Sequence, residues 1–531
     1  KAGFLASNQA AEAFVRLDAG RASGVNPRQI MANPAPAIVP SVPLAALDPP
    51  AETDAQALRR RPLGAGVLGL YGAGAIVDAA ATVFLGTYLY FYLTAVCGLS
   101  GTLAGLALGI ALAVDSFVDP LVGSLSDNSR SRFGRRHPFM LAAVIPILVC
   151  IGLLFSVPPS LRGAELFAYV LVLSLGLRIA LSAFNVPYIA LGGELSDNYN
   201  ERSTIVAFRV GVGAIGTVAA LVLGYGVFLS AKAGGQLHRA GYAPLAWSGG
   251  AVMAAAALLS TVSTLKTRAR LHGAAPGDGA AVVRLYREMS EVFRNSSFLF
   301  LFGACLVTFV GFGAAGALTL HANTFFWRLP PAIILVISLS GIPGVLIGIL
   351  VTGVLARVAE KRTIAIVGLC LIAVGQFSPV TLRLSGVLPP AGTAPVALLI
   401  GAVMLASVGV AMALVGFQSM MADAADEHDL LFGARREGLY FAGISFAAKA
   451  SSGLGVVIAG LAADAIGFPN DLAARGAHVS VPWAKAVQLA LIYGPGASVI
   501  TMLGLLLLLG YRIDRAAHGR IIDALAARRV G

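Results

Sequence analysis

Two acidic side chains, Asp115 and Asp119, sit four residues apart in the segment AVDSFVDP, inside an otherwise apolar run. Four residues is about one helical turn, so both carboxylates project from the same face. Carboxylates that close cannot both stay ionised in a dry site without a counter-cation or a shared proton. The pair is therefore a candidate cation site, which would be a metal site for Na+; the competing reading is structural, with both acids bonded to Arg178, Arg209 or Lys449. In LRIALSAFN, Arg178, Ser182 and Asn185 recur at spacings of four and three. That places a guanidinium, a hydroxyl and an amide on one helix stripe. Ser182 and Asn185 offer neutral oxygens of the kind a hard cation accepts beside carboxylates, although such residues also bond neighbouring helices in lipid.

An ionisable group at the centre of a membrane span costs at least about 2.5 to 3.5 kcal/mol on insertion scales, so each one calls for a function or a partner. Asp78, Asp115, Asp119, Arg178, Arg209 and Lys449 are such groups, with His321 as a further titratable candidate. Three basic groups balance three acidic ones, so the six are expected to form a neutral network whose pairing changes as a cation enters.

The elements that must hold these groups follow from composition. Of 531 residues, 57% are apolar and 12% charged, against about 25% charged in a soluble domain. Apolar runs long enough to span a bilayer begin near 65, 100, 138, 165, 204, 244, 297, 331, 362, 394, 437 and 483 and end near 95, 124, 157, 192, 231, 265, 326, 357, 384, 422, 467 and 511. The chain reads as a 1–63 mobile cytoplasmic tail rich in Ala and Pro, a 64–265 six-helix bundle, a 266–296 linker, a 297–512 six-helix bundle and a 513–531 cytoplasmic tail. Within the linker, Val282, Val283, Leu285, Val292 and Phe293 alternate with charged residues. This suits a short amphipathic helix on the membrane surface or a solvated linker helix. Glycines such as Gly211, Gly213, Gly216, Gly453, Gly455 and Gly460 lie inside spans, where small residues allow close helix packing or form a rocking surface.

The formal net charge is +12, but the basic residues cluster in short loops, including Arg130, Arg135 and Arg136, Arg202, Arg357 and Arg362, and Arg435 and Arg436. This is the positive-inside pattern, with both termini cytoplasmic in a bacterial-type inner membrane, and no nucleic-acid partner is expected. Cys97, Cys150, Cys305 and Cys370 are far apart and the seven histidines form no HExxH or HxxxH pair, so neither a disulfide framework nor a zinc site is indicated. No GxxxxGK[ST] loop occurs, so energy is expected from an ion gradient. No paired nucleophile and base is visible, which leaves a membrane enzyme or a transport-inactive sensor as weaker readings.

Three segments carry a family pattern: Asp115 to Phe139 (DSFVDPLVGSLSDNSRSRFGRRHPF), Asn185 to Arg209 (NVPYIALGGELSDNYNERSTIVAFR) and Ser419 to Gly455. They resemble the glycoside-pentoside-hexuronide:cation symporters, the melibiose-permease-like branch of the major facilitator superfamily, over about residues 65 to 512. The resemblance implies an all-α membrane protein with the major facilitator fold, twelve transmembrane helices in two six-helix bundles and a central cavity opened alternately to either side. It implies coupling to Na+, Li+ or H+, with no other cofactor, and a monomer whose partners are a small solute, the cation and the lipid bilayer. Asp115 and Asp119 match the family's cation-binding pair, Ser182 a hydroxyl ligand, and Arg209 and Lys449 basic positions. Gly123 to Arg136 resembles the superfamily's loop signature, in which Asp127, Arg130, Arg135 and Arg136 would latch the two bundles together as a gate.

The departures concern the solute. Family sugar-binding positions align with Ala79, Asn185 and Ile189, and Asp78 lies one position before the first. Arg178 is an addition suited to an anionic or carboxylated solute. Asp78, Arg178, Asn185, Tyr188, Arg209, His321 and Lys449 are the candidate solute contacts, with Asn323 and Trp327 nearby in HANTFFW. The expected activity is cation-coupled symport of a glycoside, uronide or related small polar solute; the alternative is a carrier of a lysophospholipid or other amphiphile.

Overall fold

The computed structural model describes residues 63–129, 131, 133–196, 198–265, 292–389, 392–433, 437–473 and 481–530. The expected N-terminal tail, linker residues 266–291, Arg130, Arg435 and Arg436 lie outside the described residues. Among the described residues, twelve helices are long and apolar enough to cross a membrane: α1 Ala65–Val96, α2 Gly101–Asn128, α3 His137–Leu154, α4 Gly163–Glu194, α5 Asn200–Phe228, α6 Arg239–Leu265, α7 Ser296–Phe326, α8 Pro331–Leu355, α9 Lys361–Leu384, α10 Thr393–Phe432, α11 Glu437–Ala465 and α12 Trp483–Leu508. Helices dominate because lipid offers the backbone no hydrogen bonds, so each peptide group must be satisfied within its own segment. Where chains enter helices, polar side chains cap them: Ser100 Oγ accepts from Leu103 N at 3.3 Å, Asn198 Oδ1 from Asn200 N at 2.9 Å and Asn295 Oδ1 from Phe298 N at 2.9 Å.

Helices α1 to α6 and α7 to α12 form two six-helix bundles of one repeated plan. At the end of α1, Cys97 N donates to Tyr92 O and Leu99 N to Leu93 O; at the end of α7, Trp327 N donates to Ala322 O and Leu329 N to Asn323 O, all at 2.9 to 3.0 Å. The first helix of each half thus ends in the same wide, π-helical turn, Tyr92–Val96 and Ala322–Phe326. Helix α1 carries a second wide turn at Phe84–Leu89.

Two departures from the sequence expectations lie at the face where α1 begins and α12 ends, here the terminal face. Helix α10 runs 40 residues, ten beyond the expected end near 422, because its last turns carry Asp423 and Asp426 to basic partners. Asp423 accepts Lys361 Nζ at 2.7 and 2.8 Å. The segment expected as a C-terminal tail contains a docked helix, α13 (Arg515–Val530). Ile521 and Leu525 are buried in the second bundle's apolar core, Arg515 N donates to Glu360 at 3.1 Å, and His518 Nε2 lies 3.2 Å from Asp426 and 3.3 Å from Asp423.

At the opposite, far face the bundles close on one another through α2 and α11. A methyl group on Gly105 would stand 2.8 Å from the Val456 carbonyl oxygen, and one on Gly109 would stand 2.9 Å from that of Gly453. Gly101 and Gly460 touch through their backbones. Asp464, near the end of α11, accepts Gly101 N at 2.9 Å and Thr102 N at 2.8 Å, so a carboxylate of the second bundle caps a helix of the first. Two main-chain bonds add to the seam, Asp471 N to Thr94 O and Ala473 N to Ala95 O, both 3.1 Å. Closure here leaves the space between the bundles facing the terminal side.

Candidate functional site

That space is a cavity of about 670 Å³ lined by α1, α2, α4, α7 and α11. The i, i+4 spacing in α2 delivers what it promised: Asp115 and Asp119 both line the cavity, with Ser182 of α4 between them. Ser182 Oγ stands 2.7 Å from Asp115 Oδ1 and 2.7 Å from Asp119 Oδ1. Lys449, arriving from α11, lies 2.9 Å from Asp115 Oδ2 and 2.5 Å from Asp119 Oδ2. Arg178 Nη1 is 3.7 Å from Asp115 Oδ2. Asp115 is 2% exposed; its charge is held by groups from both bundles. Pro120 and Pro187 lie beside the cluster inside α2 and α4, where each removes one helical hydrogen bond.

Asn185 does not join the carboxylate pair. Its Nδ2 donates to Asp78 Oδ1 at 3.1 Å, and both line the cavity next to Ile189. Asp78 is exposed to the cavity, with its side chain on the wall where α1 faces α4.

Three of the expected solute contacts are elsewhere. His321 is 3% exposed, bonded through Nε2 to Thr94 Oγ1 at 2.9 Å and ringed by Phe91, Phe325 and Phe468. It sits in the far-face seam, where its contact with Thr94 joins the bundles instead of facing solute. Tyr188 is buried in a stack between Tyr71 (4.7 Å) and Phe184 (5.5 Å). Arg209 lies beside Tyr71 and Tyr188, on α5, which lends no residue to the cavity lining. Trp327 is buried against Arg383, 4.8 Å from the ring centre.

The absence of Arg209 from the cavity corrects the expected charge balance. Asp78, Asp115 and Asp119 face Arg178 and Lys449 alone, so the lining carries one more acid than base when all five are ionised.

The loop residues also find partners different from those expected. Arg136 Nη2 is 3.0 Å from Asp127 Oδ1, and both Arg135 and Arg136 pair with Glu194 at the end of α4. All four belong to the first bundle. The network ties the ends of α2 and α4 together, and the contacts between the bundles described above lie instead at the far face and at Lys449. Glu194, Asp464 and Thr94 were not singled out in the sequence. An acid at the end of an apolar run was the available signal for Glu194 in GGELSD and for Asp464 in LAADAIGF; Thr94 carried none.

The model of the family described as MFS/sugar transport protein matches residues 70–515. An uncharacterized symporter, sll1374, of Synechocystis is 26% identical over 86% of this chain and 96% of its own length. An isoprimeverose transporter of Lactiplantibacillus pentosus is 24% identical over 82% and 86%. A sodium-dependent lysophosphatidylcholine symporter 1-A of Danio rerio is 33% identical, over 25% of each chain. Among solved structures, a bacterial homologue of the lysosomal transporter Spinster, crystallised inward-facing and unoccupied, superposes with a TM-score of 0.60 at 13% identity, covering 86% of this chain and 97% of that one. A D-xylose-proton symporter gives 0.55 at 14% identity, covering 84% and 96%; at these identities the likeness is one of fold. The chain belongs to the MFS/sugar transport protein family, and it is a multi-pass membrane transporter, not an enzyme.

Proposed function

We propose that this protein is a cation-coupled symporter that carries a glycoside, uronide or related small polar solute by alternating access. The observation that supports a cation at the α2 pair is a count of protons. A serine hydroxyl has one hydrogen to donate, yet Ser182 Oγ is at hydrogen-bond distance from both Asp115 and Asp119. The second contact needs a further positive partner, either a proton on one carboxyl or a metal cation among the three oxygens. The surplus acid in the cavity calls for the same single positive charge.

Coupling follows from Lys449. It bridges the bundles by holding Asp115 and Asp119 from α11. A cation entering between the carboxylates competes with the ammonium for the same negative charge, loosening this bridge as the cavity fills. Asp78, Asn185 and Arg178, on the wall beside the pair, offer an acceptor, an amide and a guanidinium to the hydroxyls or carboxylate of a solute. A second reading, transport of an amphiphile, is favoured by the apolar residues that make up much of the lining, Ile189 among them, and by the lysophosphatidylcholine symporter among the relatives. The terminal face carries Arg135, Arg136, Lys361, Arg362, Arg512 and Arg515, which supports a cytoplasmic location for that face in an inner membrane.

The test is the melting temperature of purified protein in NaCl, LiCl or choline chloride at matched ionic strength, for the parent and Asp119→Asn. Binding to the folded state stabilises by about 2.7 kcal/mol at a hundredfold excess over Kd. Stabilisation of the parent alone by Na+ or Li+ supports a metal-cation site at the pair. Indistinguishable salts remove Na+ and Li+, and solute-driven proton uptake in vesicles then decides whether H+ is the coupled ion.

A further inference from the structure

Basic residues at the far face run against the bias that gathers them at the terminal face, so each calls for a partner. Arg162 Nη1 donates to Cys97 O at 3.1 Å, Arg239 Nη2 to Val157 O at 2.8 Å and Lys485 Nζ to Ile466 O. Arg328 and Arg383 differ. Among the described residues neither guanidinium meets a carboxylate or a hydrogen-bond acceptor. The far-face loops of the second bundle, residues 327–330, 385–392 and 466–482, contain a single acid, Asp471, whose carboxylate lies 4.0 Å from Arg162. Asp464, at the end of α11, is taken up by the start of α2.

Aromatic rings hold the two arginines. The guanidinium carbon of Arg383, in the last turn of α9, stands 4.6 Å from the ring centre of Phe326, 4.8 Å from that of Trp327 and 5.2 Å from that of Trp483. Phe326 and Trp483 are themselves stacked at 5.3 Å. Arg328 lies over the same Trp483 ring at 6.0 Å. The rings and the C-terminus of α9 favour a cation, yet no acceptor takes up the hydrogens of either head. Arg383 Nη1 is sealed from the surface, whereas Nε and Nη2, equally unbonded, keep accessible surface, and Arg328 is exposed. Two like charges therefore share one ring with an open side and nothing negative beside them.

Helices α7 and α9 end here, at Phe326 and Leu384, and α12 begins at Trp483. The cluster thus stands at the level where a bilayer changes from chains to headgroups. Trp483 is 44% exposed and Leu384, next to Arg383 in the chain, 39%. An indole at that level is an interfacial anchor, and guanidinium groups match phosphate. We propose that Arg328, Arg383 and Trp483 form a binding site for an anionic phospholipid of the far-face leaflet. The phosphate takes the open side of the two guanidiniums, and the acyl chains run past the Trp483 indole toward the bilayer centre. None of these residues lines the solute cavity. The bound anion relieves the repulsion between the two arginines, and so stabilises the fold.

The test is tryptophan quenching in the full chain, reconstituted in phosphatidylcholine vesicles into which brominated phosphatidylglycerol or brominated phosphatidylcholine is titrated. One basic residue at an anionic membrane surface is worth about fivefold in affinity, so brominated phosphatidylglycerol should reach half-quenching at a mole fraction at least about fivefold lower. Trp483→Phe should abolish that difference, which Trp247 and Trp327 do not carry. Arg328→Glu should bring it below about twofold at an unchanged melting temperature, because the side chain is exposed. Arg383→Gln should do the same, and Arg383→Lys, which keeps the charge, should retain it. Lys232→Gln removes an exposed far-face cation of the first bundle and should leave it intact. Equal quenching of the parent by the two lipids overturns the proposal. So does a preference that survives both Arg328→Glu and Arg383→Gln, or one that Lys232→Gln abolishes as fully. If glycerol 3-phosphate raises the melting temperature in detergent while neither lipid is preferred, the ligand is a soluble anion and the lipid assignment falls.

Discussion

Removing the Asp464 carboxylate should open the far face. Asp464 accepts Gly101 N at 2.9 Å and Thr102 N at 2.8 Å across the bundle seam, and these bonds exist only while α2 and α11 are in contact. Loss of a helix-capping side chain costs about 0.5 to 2 kcal/mol. Once the bundles part, the two amides and the carboxylate are hydrated, so the cost falls on the closed state alone. A change of that size shifts a two-state equilibrium by about 2- to 30-fold. The assay places a single cysteine at Val457, whose side chain packs on Gly109 in the seam, in a chain whose four native cysteines are replaced by serine. Labelling by a membrane-impermeant maleimide from the far side should be about 2- to 30-fold faster in Asp464→Ala than in the parent. An unchanged rate, with Gly460→Ala on the same background accelerating it, would show that the seam opens without consulting Asp464 and refute the argument.

Gly460→Ala itself should favour the open far face, because its methyl group meets the Gly101 backbone; the same labelling rate reads it. Thr94→Val leaves His321 without its Nε2 partner when Nδ1 already has none, so the closed state should lose about 1 to 3 kcal/mol, seen as faster labelling. Arg136→Ala removes the bonds to Asp127 and Glu194 and should lower stability by about 1 to 3 kcal/mol in a denaturation series; because all partners lie in one bundle, the labelling rate should not change. Lys449→Met leaves both carboxylates without their ammonium, so the cation-dependent rise in melting temperature should occur at lower cation concentration, by tenfold or more; a rise at higher concentration would contradict the competition argument.

The parts of this site readable in sequence are those set by spacing on one helix. Asp115 and Asp119 are one turn apart whatever packs on them, and Arg178, Ser182 and Asn185 share a stripe for the same reason. Twelve spans and their division into two sixes follow from apolar run length. Which residues meet across helices is a different matter. Arg209 and Lys449 are equally conspicuous as cations in apolar runs, yet only Lys449 reaches the cavity, since the choice depends on the face that α5 and α11 turn inward. His321 faces the seam between α1 and α7, a choice of face that leaves no mark in composition. The docking of α13 rests on His518, Arg515 and two apolar residues, too few to set a visible periodicity against a basic background.

The seam between α2 and α11 has a mechanical consequence. Glycine against carbonyl is an attraction of very short range: contact of this kind forfeits a quarter to a half of its depth within about 0.5 to 1 Å of separation. An interface made of many such contacts resists small displacement, and once parted those contacts themselves contribute almost nothing to drawing it back. The glycine part of the seam therefore acts as a snap fastener, tight only when fully seated, while the Asp464 carboxylate and the main-chain bonds supply the longer reach.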